Sequence, residues 1–312
     1  MSNPVRIMRW IGGKSRLSTQ LRAVMDVEHS VFAEPFLGGG GFFLNRSVIG
    51  ARQIINDLDD GIYSIWRVIG SDRYHEFASN FSNFPISDDV FRKFKGIRKK
   101  GFPCCSEMEK ALMTYYLTVY SFNGGTRNME YGHKPEEWEE MRAKALRRLR
   151  SSLERAHFQA SNSEIYNTDA RVIIAAYKDN PDALIYIDSP YVYELMGDMK
   201  NPYNTAFTTE DQISLLTLIR DAKAKVCVSG YRGGSLLYDR YLNRDTDWHV
   251  YKIGEVTRSA GMYTAIKGDT HNKVSEFVWT NYEVPAKASF FVNTFDLALT
   301  YGEIAEYQAK VA

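Results

Sequence analysis

The sequence predicts an α/β fold: a mostly parallel sheet of seven strands, covered by helices on both faces, with a helical insert. Three observations carry this. Short apolar strands alternate with helical stretches, the pattern of βα units whose sheet is buried on both sides. A glycine-rich turn follows the first strand, and an acidic residue ends the second. A middle segment, by contrast, has only helical periodicity.

Taken in order, Val31–Ala33 is the first strand and runs into Glu34, Pro35 and Phe36, then four glycines, Gly38 to Gly41, and an apolar helix start at Phe42. Glycines let a ligand approach the backbone closely. Gln53–Asn56 is the second strand and ends in Asp57, placed to accept hydrogen bonds from a ribose diol. Gly38 to Gly41 is not a GxGxxG dinucleotide fingerprint, because Gly41 is followed by Phe42, Phe43 and Leu44, and the earlier glycine pair is not a phosphate-binding loop of the GxxxxGK type. Gly12-Gly13-Lys14-Ser15 has Met8 where that motif needs its first glycine. The next strands are Ser163–Tyr166, Ala183–Ile187 and Val226–Ser229. A helix is predicted from Thr209, its cap, with Gln212 closing a capping box, to about Lys223; Ile213, Leu216 and Ile219 share one face. His249–Ile253 and Glu276–Asn281 have no helix between them and are expected to pair at one edge.

The middle segment reads as helices with apolar stripes. Met108, Ala111, Leu112, Tyr115 and Val119 form one; Trp138, Met141, Ala145, Leu149 and Leu153 form another, on a helix expected to start at Pro135. Its other face carries Glu139, Glu140, Lys144, Arg147, Arg148 and Arg150. The net charge of the chain is +1, but residues 61–150 hold 16 Lys and Arg against 11 Asp and Glu, and the remainder 23 against 27. An excess of +5 against −4 concentrates attraction for a polyanion in the middle segment. The same charged run also fits a solvated helix face.

The three cysteines form no disulfide framework, and the six histidines have no metal-ligand spacing, so a reducing compartment and no metal are expected. No apolar run approaches the ~18 residues of a membrane span. Arg6 and Arg9 break any signal-like segment at the N-terminus.

The strand Ala183–Ile187 ends in Asp188-Ser189-Pro190-Tyr191. This combination suits a planar ring bearing an amino group. Asp188 can accept one exocyclic N–H and the Ser189 carbonyl the other; Tyr191 can stack on the ring face, and Pro190 stiffens the backbone between them. An ordinary strand exit would use similar residues, and the upstream glycine motif and Asp57 argue against that reading.

Arg9-Trp10-Ile11-Gly12-Gly13-Lys14, Glu34-Pro35-Phe36-Leu37-Gly38-Gly39-Gly40, Asn56-Asp57 and Asp188-Ser189-Pro190-Tyr191, in that order, resemble a Dam-type N6-adenine DNA methyltransferase. The resemblance runs from about Arg6 to Tyr282; Ser189 stands where the family usually has proline. It implies a Rossmann-like methyltransferase sheet divided between residues 1–62 and 157–284, a target-recognition insert at 63–156 and a tail at 285–312. It also implies S-adenosylmethionine as cofactor and double-stranded DNA as partner. Trp10, Pro35 and Phe36 would line the cofactor site, Glu34 and Lys14 would meet the methionine moiety, and Gly38, Gly39 and Gly40 would admit the cofactor. Asp57 would hold the ribose. Asp169, within Asn167-Thr168-Asp169, resembles the residues around the cofactor adenine, although an Asx-type turn explains that triplet equally well.

Asp188 and the Ser189 carbonyl would polarise the N6 amine of a flipped adenine for attack on the methyl group, with no covalent nucleophile, flavin or metal. Phe122, Asn123, Gly124, Arg127 and Asn128 lie in a stretch resembling the family's target-reading loop, with Gly125 in place of its leucine. Arginine can read guanine and asparagine adenine. Arg147 and Arg148 would meet phosphates; Arg258, Ser259 and the stretch from Lys273 to Glu276 resemble a further segment that packs near the active site and contacts DNA, although a surface loop explains them equally well. A cytoplasmic location in a bacterial or phage-infected cell and a cognate restriction endonuclease complete the expectation. Two other readings fit the same residues: methylation of RNA or of cytosine N4, and a DNA-binding protein with a vestigial cofactor site.

Overall fold

The computed structural model describes residues 4–10, 12–46, 50–121, 137–190, 207–232, 237–242, 247–257 and 273–295. The strands are β1 (Val31–Glu34), β2 (Arg52–Asn56), β3 (Ser163–Tyr166), β4 (Ala183–Ile187), β5 (Lys225–Gly230), β6 (His249–Thr257), β7 (Lys273–Thr280) and β8 (Asn293–Phe295). They form one sheet in the order β3-β2-β1-β4-β5-β7-β6-β8. β1 to β5 pair in parallel, and β7 runs antiparallel to both β5 and β6. The seven expected strands are present. The eighth comes from the tail, where the sequence marked no element, and pairs with β6 at the outer edge.

Side-chain alternation divides the sheet cleanly. On β4, Ala183, Ile185 and Ile187 point to one face, Leu184 and Tyr186 to the other, and all five are buried. Burying each large aliphatic residue here contributes roughly 1.5–3 kcal/mol. The first face is covered by α7 (Ala170–Tyr177), α8 (Thr209–Ile219) and α9 (Leu237–Tyr241). The second is covered by α1 (Ser18–Val24) and, near β2, by a helical group. That group is α2 (Asp60–Gly70), α3 (Tyr74–Asn83), α4 (Asp88–Lys99), α5 (Glu107–Tyr120) and α6 (Trp138–Ser161). Its core is continuous with Ile7, Met8, Leu37, Phe43 and Ile55, beside the glycine-rich turn.

Three local expectations change. The helix expected after Gly41 is a single 3-10 turn, Phe43–Asn45. The Asn45 amide donates to Gly41 O and Val5 O and accepts from Val5 N–H, so a side chain satisfies groups that a longer helix would have paired. The cap of α8 is Thr208, not Thr209. Thr208 Oγ accepts from Asp211 N–H, and the Asp211 carboxylate accepts from Thr208 N–H. A carboxylate in the first turn suits the helix dipole, and Gln212 turns inward instead. α8 also stops at Ile219, short of Lys223; the Trp248 indole donates to the freed Arg220 carbonyl at 3.0 Å. The predicted helix start at Pro135 lies outside the described residues, and α6 continues past Leu153 through buried Ala156 and Ala160.

Candidate active site

Strand order reverses between β1 and β4, whose next neighbours lie on opposite sides. In such sheets a crevice opens beyond the carboxyl ends of the strands at this switch point. Here it is a cleft of about 190 Å³, with Glu34 at the end of β1 and Asp188 just after β4.

Asp188 is fixed from two sides. Its Oδ1 accepts from Lys14 Nζ at 2.7 Å and from Ser229 Oγ, at the end of β5, at 2.9 Å. Among the described residues no hydrogen bond falls on Oδ2. Lys14 is 4% exposed and also donates to Gly12 O at 2.9 Å, with Glu276 of β7 3.3 Å away. Burial works against its ammonium, but the carboxylates of Asp188 and Glu276 outweigh this and its pKa is raised. Glu34 is 2% exposed, and its Oε2 has no hydrogen-bond partner among the described residues. Burial first, and the charge of Asp188 second, push its pKa well above the usual carboxylate range.

Asp57 follows β2. Its Oδ2 accepts from Gly38 N–H at 2.7 Å and its Oδ1 from Asp59 N–H at 2.9 Å. Burial, then the charge of Asp59, lifts its pKa to about 7 despite those bonds. Asp59 caps α2 through the N–H groups of Gly61 and Ile62, and pairs with Arg98 of α4. Asn56 ties the strand ends together, donating to Pro35 O and Thr168 O and accepting from Thr168 N–H.

The glycines mainly admit tryptophans. A Cβ at Gly38 would lie 2.3 Å from Trp10 Nε1, and one at Gly39 2.7 Å from Trp10 Cβ. Gly40, at φ +63°, faces the Trp66 ring, and Trp66 Nε1 donates to Gly38 O at 2.9 Å. The turn is thus clamped between two indoles, and Trp10, Gly38 and Gly39 form part of the cleft wall.

Trp10, Lys14, Glu34, Pro35, Phe36, Gly38, Gly39, Asp57, Asp169, Asp188 and Pro190 all line the cleft. Ser189 is buried just behind it. Asp169 caps α7 and pairs with Arg171, which holds its carboxyl below the usual range. Arg147 is exposed on α6 and Arg148 half-buried. Burial, then the like charges of Arg9, Arg6 and Arg147, lowers the Arg148 pKa. Lys273 begins β7, paired with Thr257. Tyr191, Phe122, Asn123, Gly124, Arg127, Asn128, Arg258 and Ser259 lie outside the described residues.

Sequence reasoning did not single out Arg171, Asp211 or Phe207. Arg171 bridges Asp169 and Asp211, and Phe207 meets Phe36 edge-on with ring centroids 5.7 Å apart at the cleft wall. Asp211 was legible as a first-turn carboxylate. Phe207 had no local signal, because only its contact with Phe36, far off in sequence, places it here.

The sequence profile of the D12 class N6 adenine-specific DNA methyltransferase family matches residues 10–255. The chain is 24% identical over 293 residues to the type II methyltransferase M1.LlaDCHI of Lactococcus lactis subsp. cremoris, covering 88% of this chain and 94% of that protein. It is 26% identical over 124 residues to a DNA adenine methylase of Haemophilus influenzae, covering 38% and 41% respectively.

Proposed function

Because the chain belongs to the D12 class N6 adenine-specific DNA methyltransferase family, we propose that the switch-point cleft holds S-adenosylmethionine and that Asp188, braced by Lys14, receives the target amine beside it. The protein is an adenine-specific DNA methyltransferase that uses S-adenosylmethionine; the RNA, cytosine and vestigial-site readings are not favoured.

The cleft suits that cofactor. When bound, S-adenosylmethionine supplies an electrophilic methyl on a sulfonium, and it also carries an ammonium and a ribose diol. The buried Glu34 Oε2, with no partner among the described residues, is an acceptor for the ammonium. Asp57, already held by two backbone N–H groups, keeps lone pairs for the ribose hydroxyls. The Phe36–Phe207 pair offers an apolar wall near Asp169 for a purine. Lys14 lines the cleft, where its motif implies a contact to the methionine moiety, and its ammonium also holds Asp188, Glu276 and Gly12 O, which supports a further role in positioning Asp188.

The single observation that carries the reading is this brace. With Oδ1 held by Lys14 and Ser229, Oδ2 is left to accept an N6–H, and the Ser189 carbonyl accepts the other. Two acceptors on the amine raise its electron density and fix its direction, the positioning and preorganisation that drive such a transfer. Arg147 and Arg148 of α6 are the candidate phosphate contacts and Arg127 the candidate base reader; a cytoplasmic, DNA-associated location fits the same reading, and a restriction endonuclease of matching specificity is compatible with it.

Calorimetric titration with S-adenosylmethionine tests the assignment. Glu34→Gln and Asp57→Ala should each weaken binding by about tenfold or more, the scale of a lost charge-assisted hydrogen bond, whereas Asp188→Ala should bind nearly as wild type. Equal weakening in all three variants would remove the separation of cofactor and amine sites.

A further inference from the structure

Ser189 begins a buried run of hydrogen bonds that the transfer reaction itself does not require. Its Oγ donates to Gln212 Oε1 of α8 at 3.2 Å, and Gln212 Nε2 donates to the Tyr238 hydroxyl of α9 at 2.8 Å. Ser189 is 2% exposed, Gln212 fully buried and Tyr238 6% exposed. The three side chains form one buried run of hydrogen bonds, in which Gln212 accepts with its oxygen on one side and donates with its amide N–H on the other, and a buried polar network of this kind holds its members to one arrangement.

The far end of this run is itself anchored. Tyr238 stacks on Trp279 of β7 with centroids 4.6 Å apart and planes 18° from parallel. The Trp279 indole donates to Asp239 at 2.8 Å. β5 leaves room for the tyrosine with Gly230, where a Cβ would lie 3.2 Å from the Tyr238 ring. Residues on β5, β7, α8 and α9 therefore hold a run of hydrogen bonds that starts at Ser189, the residue whose carbonyl is assigned to the amine.

The geometry points to Gln212 and Tyr238 as positioning residues for methyl transfer: through the Ser189 hydroxyl they fix the orientation of the Ser189 carbonyl. Pro190 confines Ser189 to extended conformations, and the run of hydrogen bonds selects one of them. This rests on the reading that Asp188 and the Ser189 carbonyl hold the amine.

The test is single-turnover transfer of labelled methyl from S-adenosylmethionine to adenine-containing duplex DNA by the full chain, with cofactor Kd and melting temperature measured alongside. Tyr238→Phe keeps the stacked ring and removes one hydroxyl; Ser189→Ala removes the other end of the same run. Each should slow transfer about tenfold or more, within the range for a misplaced reacting group, with cofactor Kd changed by less than about twofold. The double variant should be no slower than the slower single, because both substitutions break the same run of hydrogen bonds. Wild-type turnover in Tyr238→Phe, or losses that multiply in the double variant, would overturn the positioning role. If Tyr238→Phe does not fold, Ser189→Ala carries the test, and wild-type turnover in it overturns the role equally. Asp188→Ala separates the amine site from its support: full activity there would overturn the amine site itself, whereas loss there with an unaffected Tyr238→Phe would overturn the positioning role alone.

Discussion

Asp57 accepts two backbone hydrogen bonds and still has its pKa lifted to about 7, because burial and the nearby Asp59 charge outweigh them. This predicts a pH dependence. Hydroxyl donors on the ribose favour the ionised carboxylate, so cofactor binding releases a proton whenever Asp57 starts protonated. Affinity should therefore be full above about pH 7 and fall by up to about tenfold per unit below it. Calorimetry across pH 5.5–8.5 checks this; Asp57→Ala should bind weakly at every pH and lose that slope. A wild-type affinity independent of pH would show that Asp57 does not touch the cofactor. At this scale the sequence was informative where chemistry sits next to a strand end, as at Glu34, Asp57 and Asp188. The resemblance pointed to the stretch from Lys273 to Glu276 near the active site, but that Glu276 is the second carboxylate on Lys14 was not legible, because a distant antiparallel strand brings that residue in.

Between elements, α4 reaches the cofactor side of the sheet through one arginine. Arg98 is 6% exposed, pairs with Asp59 and donates to Thr114 Oγ of α5 at 2.9 Å. Asp59 N–H holds Asp57, so the helical group and the cleft share one polar chain. Removing a single partner from a buried ion pair costs about 3–5 kcal/mol. Arg98→Ala should lose stability on that order in denaturant unfolding and should also weaken cofactor binding; an unchanged midpoint would mean that the pair is not held in solution. Element types were legible because their periods are strong: all seven expected strands and the α5 and α6 stripes occur. Element ends were less so. Thr208 and Thr209 are chemically interchangeable as caps, and the choice falls to Thr208 because Asp211 closes the box while Gln212 is drawn into the core. The eighth strand, three residues long, has too short a pattern to read and exists only because β6 offers an edge.

For the whole molecule, sheet order explains why motifs far apart in sequence act together: β1 and β4 are neighbours at the switch point, so Glu34 and Asp188 face one cleft. The helical group brings Arg147 and Arg148 near Arg6 and Arg9, a like-charged cluster suited to phosphates. Arg147→Ala should weaken binding to every duplex and reduce the salt slope by about one. Arg127→Ala should instead lower discrimination at one base pair by about 1–3 kcal/mol. Comparing cognate and single-mismatch duplexes over a salt series separates the two, and equal weakening of all duplexes by Arg127→Ala would make that residue a phosphate contact. The most direct measurement is labelled methyl transfer from S-adenosylmethionine to duplex DNA, followed by digestion to nucleosides and mass analysis, for wild type and Asp188→Ala. The wild type should place the label in N6-methyladenine, and Asp188→Ala should lose at least ~100-fold in rate, the scale for one preorganised polar group, while still binding cofactor. Label in cytosine, or an Asp188→Ala variant that turns over like the wild type, would contradict the account.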